Sequence, residues 1–188
     1  MPRAPKAQSV DQQGRPDGFE PPAVYVPQVL EGGYTRLVAS CPPDRLAALH
    51  RDLVAALAGP LKVLYVQLTD RQQGQLPKPI QRVGVDLEPG TVLAALSELE
   101  DLVYWDGRHQ LWIRGAMGEQ VVLEELGVVY TYPDDPSFRE ICARHGLRED
   151  PRAVTMAERD YVQVSFLAEA DAQEARLVWT LGLQEWAG

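Results

Sequence analysis

Four short β-forming runs separated by turn residues make up the stretch Leu102–Phe138, which constrains the fold more than any other part of the chain. The runs are Leu102–Trp105, Arg108–Arg114, Glu119–Leu123 and Gly127–Tyr132. Asp106-Gly107 is the strongest short hairpin signal in the sequence. After the last run, Asp135 and Pro136 suit the N-cap and the first position of a helix. The stretch therefore predicts an antiparallel meander followed by a helix to about His145.

The hairpin predicted at Asp106-Gly107 divides its side chains into two faces. One face holds Leu102, Tyr104, His109, Leu111 and Ile113, and the other holds Val103, Trp105, Arg108, Gln110, Trp112 and Arg114. Tryptophan beside arginine is typical of binding hot spots. It is equally typical of a face that another element of the same chain covers. A three-residue loop would reverse the parity and bury Trp105, so the assignment of faces depends on the turn.

The preceding part of the chain alternates strands and helices. Strands are predicted at 34–41, 61–69 and 80–87, and helices at about 43–58 and from about 91 to 99. In the strand at 61–69, the face of Lys62, Leu64, Val66 and Leu68 is the more apolar and is expected to point inward. With Leu102–Trp105 as a closing strand, the order βαββαβ indicates a ferredoxin-like first half. That fold hosts too many activities to indicate one.

Length and composition indicate how the chain is divided. The 188 residues suffice for one good hydrophobic core. Residues 1–22 are rich in Pro, Gln, Gly and charge, which predicts a flexible tail. Residues 23–188 are expected to form a single α+β domain with a mostly antiparallel sheet and about four helices, 23–105 and 106–188 being the alternative sub-units.

Charge and cysteine usage limit the environment and the partners. The net charge of −9 argues against nucleic acid and is compatible with a basic ligand, a basic protein partner or plain solubility. No apolar run reaches the ~18 residues of a membrane span. Cys41 and Cys142 lack metal-ligand spacing, so we expect free thiols in a reducing cytoplasm. Only three of the 18 basic residues are lysines, which indicates a GC-rich bacterial source.

The sequence carries no recognisable catalytic or metal-binding motif. It lacks a serine nucleophile elbow, a phosphate loop and a dinucleotide fingerprint. The histidines at 50, 109 and 145 are not grouped as zinc ligands, so we expect no metal and no cofactor. Asp134 and Asp135 could act as paired carboxylates, but helix capping and the helix dipole explain them fully. An ordinary exposed hairpin connection explains the polar loop at 70–79, and a mobile functional segment is the alternative.

These observations favour a non-enzymatic protein-binding module, such as an adaptor or an inhibitor/immunity-type protein with an acidic surface. The candidate partner-binding residues are Trp105, Arg108, Trp112, Arg114, Asp134 and Asp135. The alternative is a small enzyme or ligand-binding domain with a pocket near the 70–79 loop, where Tyr104, His109 and Asp134 would converge. Self-association through a strand edge or the C-terminal helix is a third hypothesis.

Overall fold

Eleven strands and four α-helices are present in the computed structural model, which describes residues 3–186. The strands are β1 (Ala7–Ser9), β2 (Val24–Val29), β3 (Thr35–Ser40), β4 (Leu61–Asp70), β5 (Gly74–Leu87), β6 (His109–Arg114), β7 (Gln120–Leu123), β8 (Val129–Tyr132), β9 (Arg148–Glu149), β10 (Tyr161–Gln163) and β11 (Gln184–Glu185). The helices are α1 (Pro43–Ala55), α2 (Pro89–Glu98), α3 (Pro136–Arg144) and α4 (Glu169–Thr180). Short helical turns occur at Glu31–Gly33, Asp101–Trp105 and Met156–Glu158. This content confirms the predicted α+β class.

A nine-stranded sheet in the order β11-β5-β4-β6-β7-β8-β3-β2-β9 holds most of the strands. Its neighbours are antiparallel except for the short β2–β9 pair. Consecutive β6, β7 and β8 lie side by side, as the meander prediction requires. Strand β4 lies between β5 and β6, and β3 lies between β2 and β8, so the sheet does not confirm a ferredoxin-like first half.

The two faces of this sheet are covered differently. The main core joins apolar side chains of all four α-helices to one face, which includes Leu61, Val63 and Tyr65 of β4. A smaller core on the opposite face joins part of β2, β3, β7 and β8 to the N-terminal segment and to residues 153–161. The prediction that Leu64 and its neighbours on alternate positions point inward is therefore wrong. Strand β4 carries apolar residues on both faces, so alternation alone could not choose between them.

The predicted strand Leu102–Trp105 and the hairpin at Asp106-Gly107 are wrong. Residues Asp101–Trp105 form a π-helical turn soon after α2 ends, and Val103 N donates to Leu99 O at 3.0 Å. Leu102, Val103 and Tyr104 are all buried, which a helical turn between layers permits. The Asp106 carboxylate accepts a hydrogen bond from Arg108 N at 3.0 Å. Aspartate favours such local turns as well as hairpins, and this shared preference explains the error.

The segment predicted to be a flexible tail instead packs against the rest of the protein. Strand β1 pairs with β10, about 150 residues later in the chain. Lys6, Ala7 and Ser9 are buried. The isolated composition of this segment gave no sign of the pairing, because its partner strand is remote. Residues 1–2 and 187–188 of the predicted tail and domain lie outside the described residues.

The polar segment 70–79 is mostly strand and not a long loop. Pairing continues to Thr69–Gln75 and Asp70–Gly74, and the Asp70 carboxylate accepts hydrogen bonds from the backbone of the turn. Between Gln67–Ile80 and Thr69–Gln75, one residue of β4 faces four residues of β5, so 76–79 bulge outward. A bulge tolerates the two prolines of this segment, which could not donate ladder hydrogen bonds.

Replacement of Asp135 by alanine is expected to lower the free energy of unfolding by about 1 kcal/mol. The Asp135 carboxylate caps α3 by accepting a hydrogen bond from Ser137 N at 2.8 Å, as predicted from the sequence. Urea denaturation of Asp135→Ala and of Asp135→Asn measures the effect, and asparagine should retain most of the stability. Equal losses in both variants would show that the cap is not the cause.

Candidate functional site

An exposed part of the sheet, on the face away from the α-helices, is the strongest candidate for a binding surface. We call it the Trp112 face and define it by Lys62, Leu64, Val83, Trp112 and Arg114. Strand pairing places Leu64 beside Trp112 on one side and Val83 on the other, and Lys62 beside Arg114. Trp112 is 36% exposed. Within residues 3–186, none of the five positions belongs to the main core or to the smaller core.

One row across six strands of this face is entirely polar. The strand registers align Gln28, Arg36, Tyr132, Gln120, Arg114 and Lys62. The row holds three cations and no carboxylate. The Arg36 guanidinium has partners within the protein: it lies 4.4 Å from the Tyr130 ring centre and donates a hydrogen bond to Tyr132 Oη.

Lys62 and Arg114 form a direct cross-strand pair of like charges. Within residues 3–186, neither side chain forms an ion pair with a carboxylate. Like charges directly opposite each other destabilise an antiparallel sheet. A shallow depression of about 150 Å³ lies between these two cations, Leu64, Trp112 and Gln120. The arrangement can accept an anionic group next to an aromatic surface.

A deeper cleft of about 520 Å³ lies farther along the same face. We call it the Glu125 cleft; its walls are Leu68, Thr69, Gln75, Leu76, Pro77, Pro79, Gln110, Glu125, Tyr161 and Gln163. The bulge of β5 supplies the apolar wall, and β10 supplies the opposite side. The cleft borders the 70–79 segment, where the alternative hypothesis expects a pocket.

A chain of hydrogen bonds connects Trp112 to this cleft. Trp112 Nε1 donates to Gln110 Oε1 at 3.1 Å, and Gln110 Nε2 donates to Glu125 Oε2 at 2.8 Å. Tyr161 Oη donates to the other Glu125 oxygen at 2.7 Å. These two hydrogen bonds hold the Glu125 side chain in one orientation. The residue is 6% exposed. Burial and the charge of Glu125 raise the pKa of neighbouring Glu124 to about 7.

Arg108 lies in a buried ionic cluster that holds α4 on the sheet. Its guanidinium donates to both Asp106 oxygens at 2.8 and 2.9 Å, to Asp171 at 2.8 Å and to Leu167 O at 2.9 Å. Glu174 accepts from Arg108 and also from Tyr65 Oη at 2.5 Å. Burial alone would lower the pKa of Arg108, but the bonded carboxylates outweigh it and hold the pKa above its ordinary value. The cluster has a complete structural explanation.

Two histidines and a lysine lie in the interior without carboxylate ion pairs in the described part of the chain. Burial, followed by the charge of Lys6, lowers the pKa of His50 to about 3 and that of His109 well below 6.5. His50 Nδ1 lies 3.0 Å from Tyr104 Oη, while both ring nitrogens of His109 lack a hydrogen-bond partner. Burial also lowers the pKa of Lys6 to about 8. His109 lines neither the Glu125 cleft nor the depression beside Trp112, and the group is better explained as buried structure than as a catalytic site.

The structure brings together only part of the predicted binding set. Trp112 and Arg114 share one exposed face. Trp105 packs against the main core and Arg108 is 2% exposed, so neither contributes to that face. Asp134 pairs with Arg139 at 2.5 Å and Asp135 caps α3.

The structure does not bring the three residues of the alternative hypothesis to a pocket near the 70–79 segment, since none of them lines the Glu125 cleft. Tyr104 and His109 both lie in the interior, whereas Asp134 forms its ion pair with Arg139 at the start of α3. In residues 3–186, no group of three or more His, Cys, Asp or Glu side chains is placed to hold a metal ion. No helix of the same residues is long and apolar enough to cross a membrane.

Sequence reasoning missed Lys62, Leu64 and Glu125 as site residues. Lys62 becomes notable only when the register places it opposite Arg114. Glu125 becomes notable only when β10 brings Tyr161 to it. The comparisons of this chain with protein-family models, with curated proteins and with solved structures found no match.

Proposed function

We propose that this protein is a non-enzymatic protein-binding module, of the adaptor or inhibitor/immunity type, that docks its partner on the Trp112 face. The observation that carries the proposal is the pair Lys62–Arg114, two like charges in direct register beside an exposed tryptophan. Such a pair costs folding free energy. The chain has 27 acidic residues, yet none forms an ion pair with either cation within residues 3–186.

The partner is expected to present carboxylates to this face. A carboxylate in the depression between Lys62 and Arg114 would relieve their repulsion and accept charge-assisted hydrogen bonds. The net charge of −9 favours a basic partner as a whole. Complementarity between the groups in contact is local, however. The segment of the partner that contacts Lys62 and Arg114 is therefore expected to be acidic, whatever the net charge of the whole partner.

Apolar contact supplies the other half of the recognition. Trp112, Leu64 and Val83 are neighbours on adjacent strands, so a partner can cover them together. Tryptophan and arginine are both enriched at binding hot spots. Trp179 on α4 is 87% exposed, but a single exposed apolar side chain needs no binding partner to explain it.

Location and source are part of the proposal. Cys41 and Cys142 are free and buried, which supports a reducing, cytoplasmic environment. The preference for arginine over lysine supports a bacterial source.

The double substitution Trp112→Ala/Arg114→Ala should abolish capture of a partner from an extract of the source cells, with the free energy of unfolding changed by less than about 1 kcal/mol. Both side chains lie on an exposed face, so their loss should leave the core intact. Affinity capture with mass spectrometry measures binding, and urea denaturation measures stability. The captured protein should then bind through an acidic segment in a purified two-component assay.

Trp179→Ala is the matched control, because it removes an exposed tryptophan from a different element. It should leave capture unchanged. Loss of capture in Trp179→Ala with retention in the double variant would contradict the proposal, as would a captured partner whose binding depends on neither tryptophan.

A further inference from the structure

We propose that the Glu125 cleft is a binding site for an alkylguanidinium group. The inference is independent of the docking proposal, because it rests on a different cavity and on a different charge. The cleft, at about 520 Å³, falls within the range of small-molecule sites and has a carboxylate in its lining.

The Glu125 carboxylate has unused capacity for a cation. Each oxygen accepts one hydrogen bond from a neutral donor, one from Gln110 and one from Tyr161. An ionised carboxylate offers about four acceptor positions, so about two remain. In residues 3–186, Glu125 forms no ion pair with arginine, lysine or histidine. Lys6 lies near enough to interact electrostatically with Glu125, but it forms no ion pair with it in the same residues, and its ammonium donates to Val103 O at 2.9 Å.

A guanidinium ligand would pair with the buried Glu125 carboxylate, which forms no ion pair within the described residues. A buried charge is normally paired, since hydrogen bonds from neutral groups replace only part of its hydration. Glu125 is 6% exposed and faces an open cleft and not a packed interior. A planar guanidinium can donate two parallel hydrogen bonds to the remaining acceptor positions.

The side chains that line the Glu125 cleft can contact the alkyl chain and the other nitrogen atoms of such a ligand. Leu76, Pro77 and Pro79 line one side and can pack against an alkyl chain. The amides of Gln75 and Gln163 offer oxygens that can accept further guanidinium hydrogen bonds. The rest of the lining within the described residues includes no cation that would repel the ligand.

Isothermal titration of the whole protein with butylguanidinium tests the site. We expect saturable binding to one site, and at least roughly tenfold weaker binding of butylurea, which has the same shape without the charge. Glu125→Gln should weaken butylguanidinium by a similar factor, whereas the control Glu185→Gln, on exposed β11, should not. Thermal melting confirms that each variant is folded.

A second variant distinguishes loss of the binding site from a general effect of Glu125→Gln on the fold. Leu76→Trp narrows the cleft and leaves Glu125 and its hydrogen bonds in place, so it should also weaken butylguanidinium. A blocked pentapeptide with a central arginine separates the two sources of the group. Tighter binding of the peptide assigns a protein side chain as the ligand, and tighter binding of butylguanidinium assigns a small molecule. Absence of saturable binding by both, or equal binding of butylurea, would overturn the proposal.

Discussion

Arg108→Met is expected to lower the free energy of unfolding by about 3–5 kcal/mol, because removal of one partner from a buried ion pair strands the other. Asp106 is fully buried and receives both of its side-chain ionic contacts from Arg108. The same substitution also removes the Arg108 contacts of Asp171 and Glu174, which weakens the attachment of α4. Urea denaturation at neutral pH measures the loss.

Arg71→Met provides the matched control for this prediction. Arg71 binds the same Asp171 carboxylate at 2.7 Å, but its side chain is 34% exposed. Exposed ion pairs are worth about 0–1 kcal/mol, so this variant should be nearly as stable as the wild type. Equal losses in the two variants would show that burial of the Asp106–Arg108 pair is not the source of the effect.

The protein should lose stability between pH 6.5 and 5 because burial disfavours protonation of two histidines when it is folded. The pKa of His50 is lowered to about 3, so His50 stays neutral in the folded protein at pH 5, and burial shifts the pKa of His109 in the same direction. The unfolded chain takes up those protons below about pH 6.5. Stability is therefore lost as the pH falls; His50 contributes roughly 1–2 kcal/mol between pH 6.5 and 5, and His109 adds to the loss.

Glu124 has the opposite sign and offsets part of this loss. Its pKa is raised to about 7, so the folded protein binds a proton before the unfolded chain does. Protonation of Glu124 thus favours the folded state as the pH falls from 7 towards its unfolded value. Glu124→Gln should accordingly steepen the loss of stability with acid.

Variants of the histidines provide the test of this pH dependence. His109→Phe keeps an aromatic ring stacked on Tyr65 and removes a titrating group, so it should reduce the loss of stability between pH 6.5 and 5. Trp179→Ala, which removes an exposed side chain that does not titrate, should leave the loss unchanged. Urea denaturation at several pH values gives the slope. The account is contradicted if His109→Phe and the wild type lose the same stability.

Local sequence patterns predicted those parts of the fold that depend on near neighbours. The leucine stripe of α1, the Asp135 cap of α3 and the side-by-side arrangement of β6, β7 and β8 follow from spacing within about 15 residues. The assignment of Leu111 and Ile113 to the core and of Trp112 and Arg114 to the opposite face was also correct. Alternation along one strand is sufficient for that assignment, whatever precedes the strand.

Features set by contacts between remote segments could not be predicted. The pairing of β1 with β10, the burial of Lys6 and the walls of the Glu125 cleft all require residues far apart in sequence. The same holds for Lys62, whose alignment with Arg114 follows from the register of β4 on β6. Asp106-Gly107 failed for a different reason, since the aspartate satisfies a local turn through Arg108 N and not a hairpin.

Lys62→Glu is the substitution that tests the central claim most directly. It turns the like-charge pair with Arg114 into an opposite-charge pair, which should stabilise the fold by roughly 0.2–1 kcal/mol. It also places a carboxylate where the partner's carboxylate should bind, so binding should be lost. Arg152→Glu, which makes the same change of charge at an exposed turn, is the control and should bind normally.

Stability and affinity should be measured together for these two variants. The account predicts that Lys62→Glu is at least as stable as the wild type and that its affinity for the captured partner falls at least tenfold, about 1.4 kcal/mol. Unchanged affinity in Lys62→Glu, or an equal loss in Arg152→Glu, would contradict docking on the Trp112 face.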